Sequence, residues 1–147
     1  MENIGYLLSD RSRLLRRAFD DRVRSVGVTG PQARLLLFIA RTEGENQGFY
    51  ADQLDVEPIT LCRMVDRMAD AGLIERRRDP ADRRAWRLHL TDKSKAMVLG
   101  LRDCVDRLIE ETLAGVSAAD RENFARILTT IGTNLGVRRE SKVSVNG

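Results

Sequence analysis

The sequence predicts a mainly α-helical chain carrying one small β-hairpin, and three observations point that way. Apolar residues recur at helical spacing along most of the 147 positions. Alternation with a period of two is confined to the stretch 74–90, where glycine, proline and aspartate supply the turns. Aromatic residues make up only 5% of the chain, so little of the material that sheets favour is present.

The composition, 42% apolar and 32% charged, belongs to a globular chain rather than a disordered one. At this length one domain is expected, or one protomer built around a shared interface. No apolar run approaches the ~20 residues of a membrane span. The opening MENIGYLLSDR lacks a basic n-region and a small-residue cleavage site, so no signal peptide is read there. With two cysteines and no such signal, the expectation is a cytoplasmic protein with free thiols.

Taken in order, residues 3–26 form a first helix with Ile4, Leu7, Leu8, Leu14, Leu15, Ala18, Phe19, Val23 and Val26 on its apolar side. Arg11, Arg13, Arg16 and Arg17 lie opposite, and a solvated face explains them better than phosphate contacts do. Gly27 stops this helix, and Thr29 with Pro31 starts the next over 31–42, whose Ala33, Leu35, Leu36, Phe38 and Ile39 mark it as core. Residues 43–50 read as a polar loop, 51–54 as a short helix and 55–57 as a turn. Thr91 caps a long helix over 92–114. Ser117 and Asp120 start a last one, with Phe124, Ile127, Leu128, Ile131 and Leu135 as its stripe and Gly136 as its end. From Val137 on there is no pattern, and a frayed tail is expected.

The chain is organised around residues 57–90. Pro58 suits the first turn of a helix. Leu61, Met64, Val65 and Met68 then form one apolar stripe, with Thr60, Arg63 and Arg67 on the opposite face. Gly72 is placed to end that helix in the left-handed conformation. Ile74–Arg78 is a strand, residues 79–85 a polar loop, and Trp86–Leu90 a second strand with Trp86, Leu88 and Leu90 on one face.

The hairpin is where charge collects. Arg76, Arg77, Arg78, Arg83, Arg84 and Arg87 stand against Asp79 and Asp82, in a chain whose net charge is only +3. Edge strands are often guarded by charge, but this density beside a helix with donors on its outer face is the footprint of double-stranded DNA binding.

The motif AGLIER at 71–76, Asp79-x-x-Asp82-Arg83-Arg84 and LHLT at 88–91, with Arg63 upstream, resembles the winged helix-turn-helix of the MarR/SlyA family of bacterial transcription regulators. The resemblance implies a DNA-binding domain over 29–91 and dimerisation helices over 1–28 and 92–136, with a flexible tail at 137–147. Helix 58–71 then lies in the major groove. Arg63 pairs with guanine, Thr60 reaches a phosphate or a thymine methyl, and Pro58 and Ile59 place the helix start against a phosphate. Arg67 contacts the backbone or pairs with Asp66 or Asp70. Arg84 enters the minor groove, Asp82 holds the loop by pairing with a nearby arginine, and Arg83 and the Arg76–Arg78 run contact phosphates or stay solvated. The long helices carry more apolar surface than one small domain covers, so a two-fold homodimer is expected. The family's release of DNA on binding small aromatic or anionic ligands points to a repressor and to Tyr6, Phe19, Phe38, Phe49 and Tyr50 as candidate pocket residues, each of which also suits a core. Gly48-Phe49-Tyr50 departs from the family's capped helix start, which leaves the sheet edge there open.

Other chemistries find little support. His89 is the only histidine, and one histidine without a Cys-x-x-Cys makes no metal site. No metal or cofactor is expected. No nucleophile–base pair, carboxylate pair or phosphate loop is visible, so an enzyme is not expected. Cys62 flanks the apolar stripe of helix 58–71, and Cys104 lies on the long helix. Packing is the commoner role for such cysteines, with oxidation of Cys62 the alternative switch.

Overall fold

The computed structural model describes residues 2–145, with side chains as far as residue 136. Six helices and two strands follow in the order α1 (Ile4–Val23), α2 (Gly30–Arg41), α3 (Gln47–Leu54), α4 (Pro58–Asp70), β1 (Ile74–Arg78), β2 (Trp86–Leu90), α5 (Asp92–Thr112) and α6 (Ala118–Val145). A 3-10 turn at Arg24–Val26 extends α1. The mainly helical class with one antiparallel hairpin is thus the fold observed.

Local chemistry explains most element ends. The Thr29 hydroxyl accepts from the Gln32 N–H at 3.3 Å while the Gln32 side chain accepts from the Thr29 N–H at 3.1 Å, a reciprocal cap that starts α2. Asp55 closes α3 in the left-handed region, φ 54°, which turns the chain sharply into α4. Gly72, at φ 73°, ends α4, and the Leu73 N–H returns to the Met68 carbonyl at 2.8 Å.

The chain divides into two compact units, residues 1–109 and residues 110–147. In the first, one cluster holds Val23 of α1, Leu35, Leu36 and Ile39 of α2, Tyr50 of α3, Leu61, Val65 and Met68 of α4, Leu88 of β2, and Leu101 and Leu108 of α5. Most are fully buried, and each is worth about 1.5–3 kcal/mol on transfer from water. In the second unit the Arg121 guanidinium bonds the Glu110 carboxylate at 3.1 Å and the Leu113 carbonyl at 2.9 Å, and Ser117 caps α6 through the Asp120 N–H at 3.2 Å.

Three sequence expectations are corrected here. Residues 47–50 are the first turn of α3 rather than loop, because the Asn46 side chain accepts from the Phe49 N–H at 2.9 Å and supplies a cap inside a segment of loop-like composition. The long helix α5 ends at Thr112, ahead of a left-handed Gly115, rather than at Ala114. The last helix passes through Gly136 and continues to Val145. Glycine inside a helix costs only about 1 kcal/mol, and no proline follows to enforce a stop. Of the tail expected to fray, residues 146–147 and the side chains from 137 onward lie outside the described residues.

Thr91 joins the hairpin to α5. Its hydroxyl accepts from the Ser94 N–H at 3.2 Å and donates to the Gly72 carbonyl at 2.6 Å, while buried Ser94 accepts from the Thr91 N–H at 2.9 Å. Thr91→Ala therefore removes a cap and a tie to the end of α4. The expected cost is about 1–2 kcal/mol, read as a lower urea midpoint at unchanged slope.

Candidate nucleic-acid interface

Helix α4 is two-faced. Leu61, Val65 and Met68 are buried with Met64 half-buried beside them, whereas Pro58, Ile59, Thr60, Arg63 and Arg67 are exposed. Ile59 keeps 60% of its surface open on this face. Pro58 stands at the first helical position and Glu57 makes no side-chain cap bond, so the N–H groups of the first turn point outward without an internal acceptor.

The hairpin is anchored at its root. Its strands pair from Ile74 opposite Leu90 to Arg78 opposite Trp86. The segment before α3 adds a partial third strand: the Gly44 N–H reaches the Leu88 carbonyl and the Leu88 N–H the Glu45 carbonyl, both at 3.0 Å, with a bridge from Asn46 to Arg87. This closes the sheet edge that the sequence left open. Tyr50, fully buried, donates to the Thr42 carbonyl and accepts from the Glu45 N–H at 3.3 Å; burial pushes its hydroxyl above its ordinary value of 10.0, so it remains a donor. Arg76 is paired with Asp66 of α4 and donates to Gln47 of α3 at 3.3 Å, tying the first strand to both helices.

The loop at the hairpin tip is built from aspartates. Asp79 accepts from the Ala81 N–H at 2.8 Å and from Arg87 at 3.2 Å; these bonds, the Ala81 one foremost, hold its carboxyl below the usual range. Asp82 accepts from the Arg84 N–H at 3.0 Å, so the partner expected to be a guanidinium is a backbone amide two residues on, the reach natural to a short aspartate side chain. Asp79 and Asp82 are further bracketed by backbone bonds to Ala85 at 3.1 and 3.0 Å.

The arginines sort into two sets. Arg76 pairs with Asp66, Arg77 with Glu75 at 3.0 Å, and Arg87 with Asp79, while Arg78 donates to the Arg83 carbonyl at 3.0 Å and stacks on Trp86. The Arg77 bond is what lowers the Glu75 carboxyl below its usual range. The Arg76–Arg78 run, expected at phosphates or in solvent, is part-buried at Arg76 and exposed at Arg77 and Arg78, and each guanidinium finds an acceptor within reach. Arg63, Arg67, Arg83 and Arg84 are exposed, and their guanidiniums make no hydrogen bond or ion pair among the described residues. Arg67 pairs with neither Asp66 nor Asp70.

Trp86 shares the predicted face with Leu88 and Leu90 but is not buried with them. It remains 37% exposed, whereas Leu88 and Leu90, one and two steps along the same face, are buried. The core ends before it does. The aromatic candidates for a ligand pocket also separate: Phe19 and Tyr50 are core residues, Phe49 meets Tyr50 edge-on at 5.2 Å, Tyr6 is exposed near the start of α1, and Phe38 lies in a shallow depression with Arg34, Leu37 and Arg41. His89 Nδ1 lies 3.4 Å from the Glu43 carboxylate, and Cys62 and Cys104 are half-buried free thiols. No helix among the described residues is long and apolar enough to cross a membrane.

Comparison with known proteins follows the same lines. A sequence model of the MarR family matches residues 26–85, from the turn after α1 to the end of the hairpin loop. The transcriptional repressor CouR, solved bound to a 23-mer DNA duplex, is 30% identical over 88% of this chain and 92% of its own, with a TM-score of 0.73. A MarR transcriptional regulator from Methanosarcina mazei Go1 shares the fold at 24% identity and TM-score 0.79, covering 91% of this chain and 97% of that one. MarR does so at 23% and 0.84, covering 95% of each.

Proposed function

The chain belongs to the MarR family, a family of transcriptional regulators and not of enzymes, and from that premise we propose that it is a homodimeric repressor reading a palindromic operator. In this reading residues 29–91 contact DNA, the helices over 1–28 and 92–136 form the dimer, and a small aromatic or anionic ligand releases the complex. The observation that carries the DNA reading is the sorting of arginines. Every other arginine of β1, the loop and β2 has an internal partner, while Arg63 and Arg67 on α4 and Arg83 and Arg84 at the loop tip stay unpaired and exposed. Unpaired guanidiniums on a helix face and a loop beside it suit a polyanion with two adjacent grooves.

Helix α4 occupies the major groove, with Arg63 on a guanine edge and Thr60 and the first-turn N–H groups on phosphate. Arg67 and Arg83 neutralise phosphates, and Arg84 enters the minor groove. The CouR likeness supports the repressor role, since that protein is a repressor held on DNA. The direct test is titration against the duplex upstream of the chain's own coding region, with unrelated competitor DNA. Competitor-resistant binding supports the reading; no binding even at low salt overturns it. Arg63→Ala is expected to lose about 1–3 kcal/mol of discrimination at one base position per half-site, measured with single-base operator variants.

A further inference from the structure

Trp86 and Arg78 close the last pair of the hairpin ladder, directly before the loop that carries Arg83 and Arg84. The Arg78 guanidinium lies 4.9 Å from the centre of the Trp86 ring and donates to the Arg83 backbone carbonyl at 3.0 Å. No carboxylate pairs with Arg78 among the described residues. An arginine in such a strand position has two uses, a direct phosphate contact or a brace. Here the planar fork is engaged on both sides, by the ring face and by the carbonyl of the residue that must be oriented. The ring lies outside the core cluster and is 37% exposed, and its recorded ring contact is the stack on the Arg78 guanidinium.

We propose that Trp86 and Arg78 are positioning residues that hold the loop tip rigid, so that Arg83 and Arg84 meet DNA already oriented. The inference rests on the DNA reading and deepens it. The loop's other bonds lie within it or at its root: Asp79 to Ala81 and Arg87, Asp79 and Asp82 to Ala85 through the backbone, and Asp82 to the Arg84 N–H. The Arg78 bond is the one that brings a strand side chain onto the Arg83 backbone at the tip. A mobile loop would pay the ordering cost on each encounter; a braced one has it removed in advance.

The two uses of Arg78 separate under Arg78→Lys. An ammonium serves a phosphate as a point charge but cannot stack and fork as a guanidinium does. A brace predicts that Arg78→Lys and Arg78→Ala weaken operator binding alike, by about three- to fivefold from loss of the stack, with the salt slope of Arg78→Lys unchanged. Trp86→Ala should match them and Trp86→Phe, which keeps a ring face, should recover most of the loss. In the Arg83→Ala/Arg84→Ala background, Trp86→Ala should cost nothing further, because the groups it positions are gone. Trp86 is the only tryptophan, so its emission in the free protein reports the stack, and Arg78→Lys should change it before any DNA is added. Wild-type affinity retained by Arg78→Lys, or a Trp86→Ala loss that adds in full to the double variant, overturns the brace while leaving the DNA reading intact. Absence of wild-type binding at low salt overturns both.

Discussion

Raising salt from about 50 to about 200 mM is expected to weaken operator binding by about 10³-fold. The figure comes from counting charges. The guanidiniums of Arg67 and Arg83, placed on phosphates, and of Arg84, placed in the minor groove between two phosphate rows where its charge displaces counterions as well, are exposed and unpaired in each protomer, which gives about six neutralised phosphate charges for a dimer, three from each copy. At a logarithmic slope of about −0.9 per phosphate, the total is about −5.4, and a fourfold change in salt gives the thousandfold loss. The paired arginines set the sensitivity of this result. If Arg76, Arg77 and Arg87 released their carboxylates to reach phosphate, the slope would be about twice as steep. A measured slope near −5 thus tests the sorting itself. Arg83→Ala, present once in each copy, should flatten it by about two while leaving base preference intact.

Much of this was legible in the sequence because it depends on short-range chemistry. The spacing of Leu61, Val65 and Met68 identifies the buried face of α4, and Gly72 marks its end whatever surrounds it. The position of the hairpin follows from alternation and from Asp79-Pro80. The first turn of α3 is hidden in the sequence because its cap, Asn46, lies among residues whose composition suits a loop equally well. The stop at Gly136 failed for the converse reason: a glycine marks a helix end only when the chain beyond it has a reason to leave.

Within the candidate site, identity was legible and engagement was not. Six arginines in the hairpin segment read alike in sequence, yet their partners depend on cross-strand register and on α4 packing against β1. Asp66, which looked available to Arg67 on its own helix, is taken by Arg76 from ten residues away. For Trp86 the sequence does carry a signal. It is the first residue of its strand, one register step from the loop and directly opposite an arginine, where the end of the core leaves an aromatic face free to stack.

The second large effect concerns assembly. Phe124, Ile127, Leu128, Ile131 and Leu135 recur at three- and four-residue spacing along α6, all exposed except half-buried Ile131, with Ile127 at 50%. Ile4, Tyr6, Leu8 and Leu14 are likewise exposed on α1. Apolar stripes of this length on a folded chain mark surfaces that meet a partner, and a second copy is the partner a palindromic operator requires. Phe124→Glu with Ile127→Glu should therefore leave helix content intact, since neither side chain is in the core, while converting the protein to monomer in sedimentation. Operator affinity should fall by about 10²–10⁴-fold, because the second half-site is no longer delivered at high effective concentration. The salt slope should fall by about half, to about −2.7, since one copy brings three of the six charges. That pairing of readouts separates the causes. A monomer that keeps the full slope would place more than three phosphate contacts on one copy and undo the arginine count. A dimer that survives both glutamates would move the interface off this stripe, with the arginine sorting untouched.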